Sequence, residues 1–329
     1  MILVTGGAGY IGSHCVLGLL KQGKKVVIFD NLSTGNLETV KDLEKIAARG
    51  QLKFFKGDLK SSDDLKRLFK ENEIDSVIHF AAYSSVEEST KEPYKYFQNN
   101  VSGTTNLLDA MVENNVKYIV YSSSAAVYGV PEKIPASEND LKAPINPYGM
   151  TKYTTETILK NYDKKFEIKS IALRYFNVIG ADPDGLTGEC HNPETHLVPR
   201  ILKAMKEDNC KFSLFGTDYD TKDGTCIRDY VDVNDLICAH FLALEYLQKK
   251  NESDVFNVGT EKGYSVKEIF SACEKVTRKE ISYEVCARRA GDPPILCSDT
   301  TKIKKILNWK PVFSLEQSIL NAWNWECRN

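Results

Sequence analysis

The amino-terminal run Met1-Ile-Leu-Val-Thr-Gly-Gly-Ala-Gly-Tyr-Ile-Gly12, followed by an acid at Asp30, constrains this chain more than any other feature. Ile2, Leu3 and Val4 make a short apolar run suited to a buried parallel strand, and Ile11, Cys15, Leu19 and Leu20 follow at helical spacing. Between them, Gly6 permits a sharp bend, Gly9 lets backbone N–H groups approach a pyrophosphate, and Gly12 lets helix and strand pack closely. The phosphate then rests on the positive end of the helix. A second apolar strand, Val26 to Phe29, ends on Asp30, about 20 residues past the glycines. A carboxylate there accepts hydrogen bonds from ribose hydroxyls and repels a 2′-phosphate. The segment is therefore predicted to be the first βαβ unit of a dinucleotide fold that takes NAD in preference to NADP.

The first half keeps that alternation. Leu52 to Phe55 leads into Gly57-Asp58-Leu59, Val77 to Phe80 into Ala81-Ala82, Tyr118 to Tyr121 into Ser122-Ser123-Ser124, and Ile168 to Tyr175 into Phe176-Asn177. In a doubly wound sheet the carboxyl ends of parallel strands form the ligand crevice, so these termini are expected to line one groove. Asp58 and Leu59 would lie beside the adenine, Phe80, Ala81 and Ala82 along the pyrophosphate and ribose, and Ser124 near the nicotinamide. A helix is predicted from Pro93 to Glu113, with Asn99 inside it. Past Gly180 the chain loosens into Asp182-Pro183-Asp184-Gly185 and a second turn at His191, which sets the expected boundary. Residues 1–180 are read as a Rossmann domain and 181–329 as a smaller, mixed α/β substrate domain, some of whose segments are free to return to the first sheet. Its elements are predicted as helices over 198–206, 266–276 and 315–326 and strands over 212–215 and 255–258.

Two Tyr-x3-Lys pairs occur, Tyr148/Lys152 and Tyr246/Lys250. The first opens a helix after Asn146-Pro147, and its two side chains share one face. A phenol with a pKa of about 10 is a poor base at neutral pH; lowering it by about three units takes about 4 kcal/mol of preference for the phenolate. A neighbouring ammonium and a cationic nicotinamide ring supply that. The second pair sits in an ordinary amphipathic helix, so the motif alone is modest evidence, and the serine cluster and glycine loop upstream single out Tyr148.

Composition excludes several classes. The 329 residues carry a net charge of −2, with basic residues dispersed, so neither nucleic acid nor an anionic membrane is an expected partner. No apolar run reaches the roughly 20 residues that span a bilayer, and a strand beginning at Met1 leaves no room for a signal peptide. Nine cysteines without a CxxC pair suit reduced thiols, and the expected location is cytoplasmic. His14, His79, His191, His196 and His240 include no HExxH or other recognised metal spacing, and no metal site is expected.

The ordered motifs TGGAGYIGSH, FDNLSTG, GDL, HFAA, NNVSGT, SSSAAVYG, NPYGMTK, RYFNVIGA, DGTCIRDYV and RRAGDP closely resemble the UDP-glucose 4-epimerase family of the extended short-chain dehydrogenases. The resemblance covers nearly the whole chain. It implies that Tyr148 is the base for the sugar 4-hydroxyl, that Lys152 tunes it and binds the nicotinamide ribose, and that Ser124 assists proton transfer. It implies a tightly held NAD bounded by Gly6, Gly9, Tyr10, Ile11, Gly12, Asp30, Asn31, Leu32, Ser33, Thr34, Gly35, Asp58, Leu59, Phe80, Ala81, Ala82, Ser84, Asn99 and Phe176, besides the catalytic three. Retention suits a reaction without net redox change, since a lost cofactor would strand the keto sugar. Around a UDP-hexose it implies Asn177, His196, Leu197, Phe215, Tyr230 and Asp292, with Arg228 and Arg289 clamping the diphosphate through guanidinium forks. It also implies a homodimer joined through the helices after Pro93 and Tyr148.

Two positions depart from the family pattern. Ser84 stands where some relatives have a lysine near the cofactor phosphates. Leu296, four residues after Asp292, matches a position that gates the sugar 2-substituent: a large aromatic excludes N-acetyl groups, a small residue admits them, and leucine is intermediate. Several alternatives therefore stand beside the main expectation: a 4-epimerase of a UDP-N-acetylhexosamine, UDP-pentose or UDP-uronic acid, or a non-catalytic NAD-binding regulator. A 4,6-dehydratase needs an Asp-Glu pair after the central strand, where this chain has Ser124-Ala125-Ala126.

Overall fold

The computed structural model describes residues 1–191, 193–207, 212–288 and 293–328. The first half runs β1 (Ile2–Thr5), α1 (Tyr10–Lys21), β2 (Val26–Asp30), α2 (Leu37–Ile46), β3 (Leu52–Lys56), α3 (Ser62–Glu71) and β4 (Ser76–His79). Next come α4 (Val86–Lys91), α5 (Pro93–Tyr96), α6 (Gly103–Glu113), β5 (Tyr118–Ser124), α7 (Pro147–Phe166) and β6 (Lys169–Tyr175). The remainder holds β7 (Asn177–Ile179), α8 (Leu197–Lys206), β8 (Phe212–Phe215), β9 (Ile227–Asp232), α9 (Val233–Lys250), β10 (Asp254–Val258), β11 (Gly263–Ser265), α10 (Val266–Thr277), β12 (Tyr283–Cys286), β13 (Ile295–Leu296), α11 (Thr301–Leu307) and α12 (Leu315–Arg328).

Seven parallel strands form the main sheet in the order β10-β6-β5-β4-β1-β2-β3. β1, β2 and β4 are buried at every position, as continuous apolar runs covered on both faces must be. Their side chains alternate between two cores. Ile2, Val4, Val26 and Ile28 join α1 and α9 on one face; Leu3, Val27, Phe29 and Val77 join α3 and α6 on the other. A third core, drawn from α8, β8, α10 and α12, sits under the smaller lobe.

Helix starts follow local chemistry. Asn146 accepts a hydrogen bond from the Gly149 N–H with Pro147 in the first turn of α7, and Ser265 and Glu268 form a reciprocal capping box at α10.

Three details differ from the sequence reading. The helix expected over 93–113 is divided by a π-helical segment, Phe97–Ser102, which contains Asn99. The wider turn frees backbone groups that side chains then satisfy: the Asn100 carbonyl accepts from Thr104 Oγ1 at 2.7 Å. β5 runs past the expected Tyr121 to include Ser122, Ser123 and Ser124, because β6 pairs with all three. The strand expected over 255–258 is β10, which extends the main sheet beside β6. Its entry helix α9 carries Tyr246, whose hydroxyl binds exposed Glu252, so the second Tyr-x3-Lys pair lies on an outer helix end.

Candidate active site

The sheet order sets side by side the carboxyl ends that the sequence reading assigned to one groove. Gly6 follows β1 at φ +71°, and a Cβ there would lie 2.7 Å from the Ala81 nitrogen, so the glycine turn rests directly on the chain leaving β4. A Cβ on Gly12 would meet the Gly6 carbonyl oxygen at 2.1 Å. These two positions make a cradle only glycine permits. Asp30, 8% exposed, accepts from the Leu32 N–H at 2.8 Å and the Ala8 N–H at 3.1 Å, tying the end of β2 to the glycine turn. Burial raises its pKa, and those two N–H groups partly oppose the shift.

Other residues expected at the cofactor follow β2, β3 and β4 or lie on α1. Asn31 donates to Asp58 Oδ2 at 3.1 Å, and Ser33 N–H binds the Asn31 side chain at 2.9 Å. Thr34 and Ser84 are exposed, and Gly35 packs on Ala8 and Asp30. Leu59 is buried against Gly103 at the start of α6. Phe80 packs on His240 with ring centres 4.7 Å apart. Ile11 joins the first core, and Ala82 is partly buried. Tyr10 sends its hydroxyl to the Gly180 carbonyl at 2.7 Å, clasping α1 to the start of the second half.

At the end of β5, Ser124 is hydrogen-bonded to Tyr148 and accepts from the Ala126 N–H at 3.1 Å. Burial pushes the Tyr148 phenol above its ordinary pKa, and the Ser124 hydrogen bond pulls it partly back. Lys152 is 3% exposed, and its Nζ donates to the Ser122 carbonyl at 2.7 Å. Burial brings Lys152 down to about 7, against the pull of Glu156. The chain's own groups thus leave Tyr148 protonated at neutral pH, and a phenolate here requires added positive charge. The expected lowering of the Tyr148 pKa is not a property of the protein side chains alone.

A network the sequence reading missed backs this face. Arg174 forks onto Glu156 at 2.9 and 2.6 Å, Ser123 Oγ donates to Glu156 at 2.6 Å, and Arg174 Nη1 donates to the Tyr128 hydroxyl at 3.0 Å. Tyr128 in turn donates to Asn257 on β10 at 2.6 Å. Asn100 joins Tyr83 to Thr151, between the two motif residues. The one available signal was Glu156, four residues after Lys152 on the same helical face.

In the smaller lobe, register sets Asn177 opposite Tyr230 and Leu296 opposite Arg228, so four expected substrate residues sit on neighbouring strands. Arg228 and Tyr230 are buried at 9% and 5% exposure. Leu296 packs against the small cluster of Ala125, Val127, Tyr128, Ala136 and Phe176, which brings this lobe against the segment after the central strand. Phe215 ends β8, His196 caps α8 and Leu197 opens it. Arg289 and Asp292 lie outside the described residues.

Folding also assembles a group passed over by the sequence reading, which expected no metal spacing among the histidines. Glu189, His191, Glu194 and His196 each bring one potential ligand atom within 4.8 Å of the others. Their Glu-x-His-x-x-Glu-x-His spacing was the available signal.

The family model described as GDP-mannose 4,6 dehydratase matches residues 3–321. The chain is 50% identical to the UDP-glucose 4-epimerase of Lactobacillus helveticus, over 98% of this chain and 96% of that protein. It is 46% identical to the putative UDP-arabinose 4-epimerase 4 of Arabidopsis thaliana, over 99% of this chain and 76% of that protein. The solved UDP-glucose 4-epimerase of Bifidobacterium longum, in complex with NAD+ and UDP, superposes with a TM-score of 0.95 at 36% identity, covering 100% of this chain and 98% of that one.

Proposed function

Since the chain belongs to the UDP-glucose 4-epimerase family of the extended short-chain dehydrogenases, we propose that it interconverts UDP-galactose and UDP-glucose through a 4-keto sugar, using a tightly held NAD. The observation that carries the proposal is the convergence of Ser124, Tyr148 and Lys152 at the carboxyl end of the central strand. The cradle at Gly6, Gly12 and Asp30 fits a dinucleotide: it leaves room for a pyrophosphate at the start of α1 and offers a carboxylate to ribose hydroxyls. NAD, when bound, supplies a reversible hydride acceptor and, on its ring, a positive charge.

The chain's residues do the rest. Asp30, Asn31 to Gly35, Asp58 and Leu59 hold the adenosine half; Tyr10, Ile11, Phe80 to Ala82, Ser84, Asn99 and Phe176 line the remainder. Lys152, anchored on the Ser122 carbonyl, positions the nicotinamide ribose and adds its charge beside Tyr148. Tyr148 takes the 4-hydroxyl proton, with Ser124 bridging phenol and sugar, as the C4–H bond breaks and the C4 carbonyl forms. After the keto sugar turns over, Tyr148 returns the proton while C4 regains its hydrogen on the other face. Asn177, His196, Leu197, Phe215, Arg228, Tyr230, Arg289, Asp292 and Leu296 hold the UDP-sugar, within a lobe drawn from 181–329 apart from α9 and β10. A homodimer through the α5–α6 and α7 faces and a cytoplasmic location complete the reading, the latter supported by the unpaired cysteine pattern. No helix among the described residues is long and apolar enough to cross a membrane.

Dehydration draws no support from the site despite the description of the family model, because Ser124-Ala125-Ala126 offers no carboxylic acid at the central strand. The Arabidopsis relative makes a UDP-pentose the second substrate class to test. Proton NMR of the anomeric region, with purified protein and UDP-galactose and no added NAD, decides. UDP-glucose signals growing to a steady ratio are expected. A 6-deoxy-4-keto product, or turnover of UDP-arabinose alone, would overturn the assignment.

A further inference from the structure

Glu189, His191, Glu194 and His196 lie on the strap that leads from Gly180 to α8, in a stretch of chain separate from the Tyr148 centre. Both imidazole Nδ1 atoms converge on one oxygen: His191 is 2.9 Å and His196 2.5 Å from Glu189 Oε1. Glu194 approaches the same two nitrogens at 3.8 and 3.3 Å, and its Oε1 is fixed by the Thr195 and His196 backbone N–H groups at 2.7 and 2.8 Å. The Glu189 side chain is only 6% exposed, yet its second oxygen, Oε2, has no hydrogen-bond partner among the described residues. A buried, unsatisfied carboxylate oxygen is costly unless something absent from the protein atoms compensates it.

Two imidazoles and two carboxylates are the donor set of a borderline divalent ion. An ion about 2.0–2.2 Å from each ligand in a tetrahedron separates the ligand atoms by about 3.3 Å. The pairs here stand 2.5 to 3.8 Å apart, so seating an ion requires Glu189 Oε1 to move off the two imidazole nitrogens it now contacts. Imidazole disfavours calcium and magnesium, and the neighbouring Cys190 thiol accepts from the Asn36 amide. All four donors fall within a short stretch, so bringing them together costs little chain entropy. The surroundings are fixed: the Glu189 carbonyl accepts from Trp325 Nε1 at 2.9 Å, and the His191 ring meets Tyr10 edge-on at 6.4 Å.

We propose that Glu189, His191, Glu194 and His196 form a binding site for a divalent transition-metal ion of the zinc type, which staples the strap between α1 and α8. Protons are its competitors. An imidazole must give up its proton at the ligating nitrogen, so metal uptake weakens as pH falls. His196, which the proposed function also places at the UDP-sugar, would be shared by the two sites; a metal count reads the ion without the sugar, so the two readings fail separately.

The test uses the full-length chain stripped with a chelator and titrated with Co2+, followed by visible absorption and by a metal count on the desalted protein. About one ion per chain is expected, with d–d bands and no thiolate charge-transfer band. His191→Ala and Glu194→Gln should each weaken binding at least about tenfold. Their thermal unfolding in chelator should match the parent. The proposal is overturned if the parent retains no ion, if a thiolate band appears, or if both variants bind as the parent does. Should a variant fail to fold, the parent's spectrum and metal count still decide.

Discussion

Lys152 donates to the Ser122 carbonyl at 2.7 Å and stands 5.8 Å from the centre of the Tyr148 ring. The lysine is therefore held by the strand and acts on the tyrosine through space. Tyr148→Phe should lower turnover by about 10²–10⁴-fold, the range for losing a positioned acid–base group, while NAD remains with the purified protein. Lys152→Met should lower both turnover and retained NAD. Anomeric NMR rates and the NAD released on denaturation separate the two; full activity in Tyr148→Phe would remove it as the base.

Gly12→Ala places a methyl 2.1 Å from the Gly6 carbonyl, a contact relieved only by moving backbone. The variant should purify largely free of NAD. Cofactor content equal to the parent's would mean that the turn between β1 and α1 is not the pyrophosphate cradle.

Leu296 packs against the cluster that holds Phe176 and Ala125, where the smaller lobe meets the chain leaving the central strand. Replacing it by Gly should raise the rate on UDP-N-acetylglucosamine relative to UDP-galactose by about tenfold or more, in line with the steric discrimination an apolar pocket gives. Leu296→Tyr should lower that ratio. Competition assays with both sugars read it directly, and an unchanged ratio in both variants would place the gate elsewhere.

His14, His79 and His240 are buried and held neutral, with burial lowering them to about 4, 3 and 4. Unfolding restores an ordinary pKa near 6.5, so between that value and the folded one the unfolded chain binds more protons and stability falls as pH falls. From pH 7.5 to 5.5 each histidine should remove about 1.4 kcal/mol. Asp235, raised to about 6 by burial, and His196, which burial lowers but the Glu189 and Glu194 carboxylates raise to about 10, work in the opposite sense and offset part of this loss. Urea unfolding of NAD-free protein at the two pH values should show a clearly lower midpoint at 5.5; an equal or higher one would contradict the buried neutral state.

The sequence announces what repeats locally. Apolar runs ending in Gly6, Asp30, Asp58 and Ser124 disclose both the sheet and its crevice, because parallel strands must be apolar throughout and their polar ends must face the ligand. Contacts joining distant stretches leave no such trace. Arg174 and Glu156 are as buried as any core leucine, at 2% and 1% side-chain exposure, and only the fold matches them. A return of some later segment to the first sheet was expected, but nothing singled out β10 as that segment, since a short apolar strand fits either sheet. The π-helical widening at Phe97–Ser102 has no periodic signature, and the Glu189 group follows none of the familiar histidine metal spacings.

The crossing of β10 and α9 into the main sheet bears on how the protein is made. A ribosome that has emitted residues up to 180 has delivered the glycine turn, the central strand and Tyr148. It has not yet delivered the strand that pairs with β6 or the helix that covers α1. Until Val258 emerges, Leu173, Val16 and Leu19 remain without their partners, and an edge of the sheet is open to any passing chain. The two lobes are thus one unit during biosynthesis, and a break in translation between them leaves an aggregation-prone fragment in place of half an enzyme.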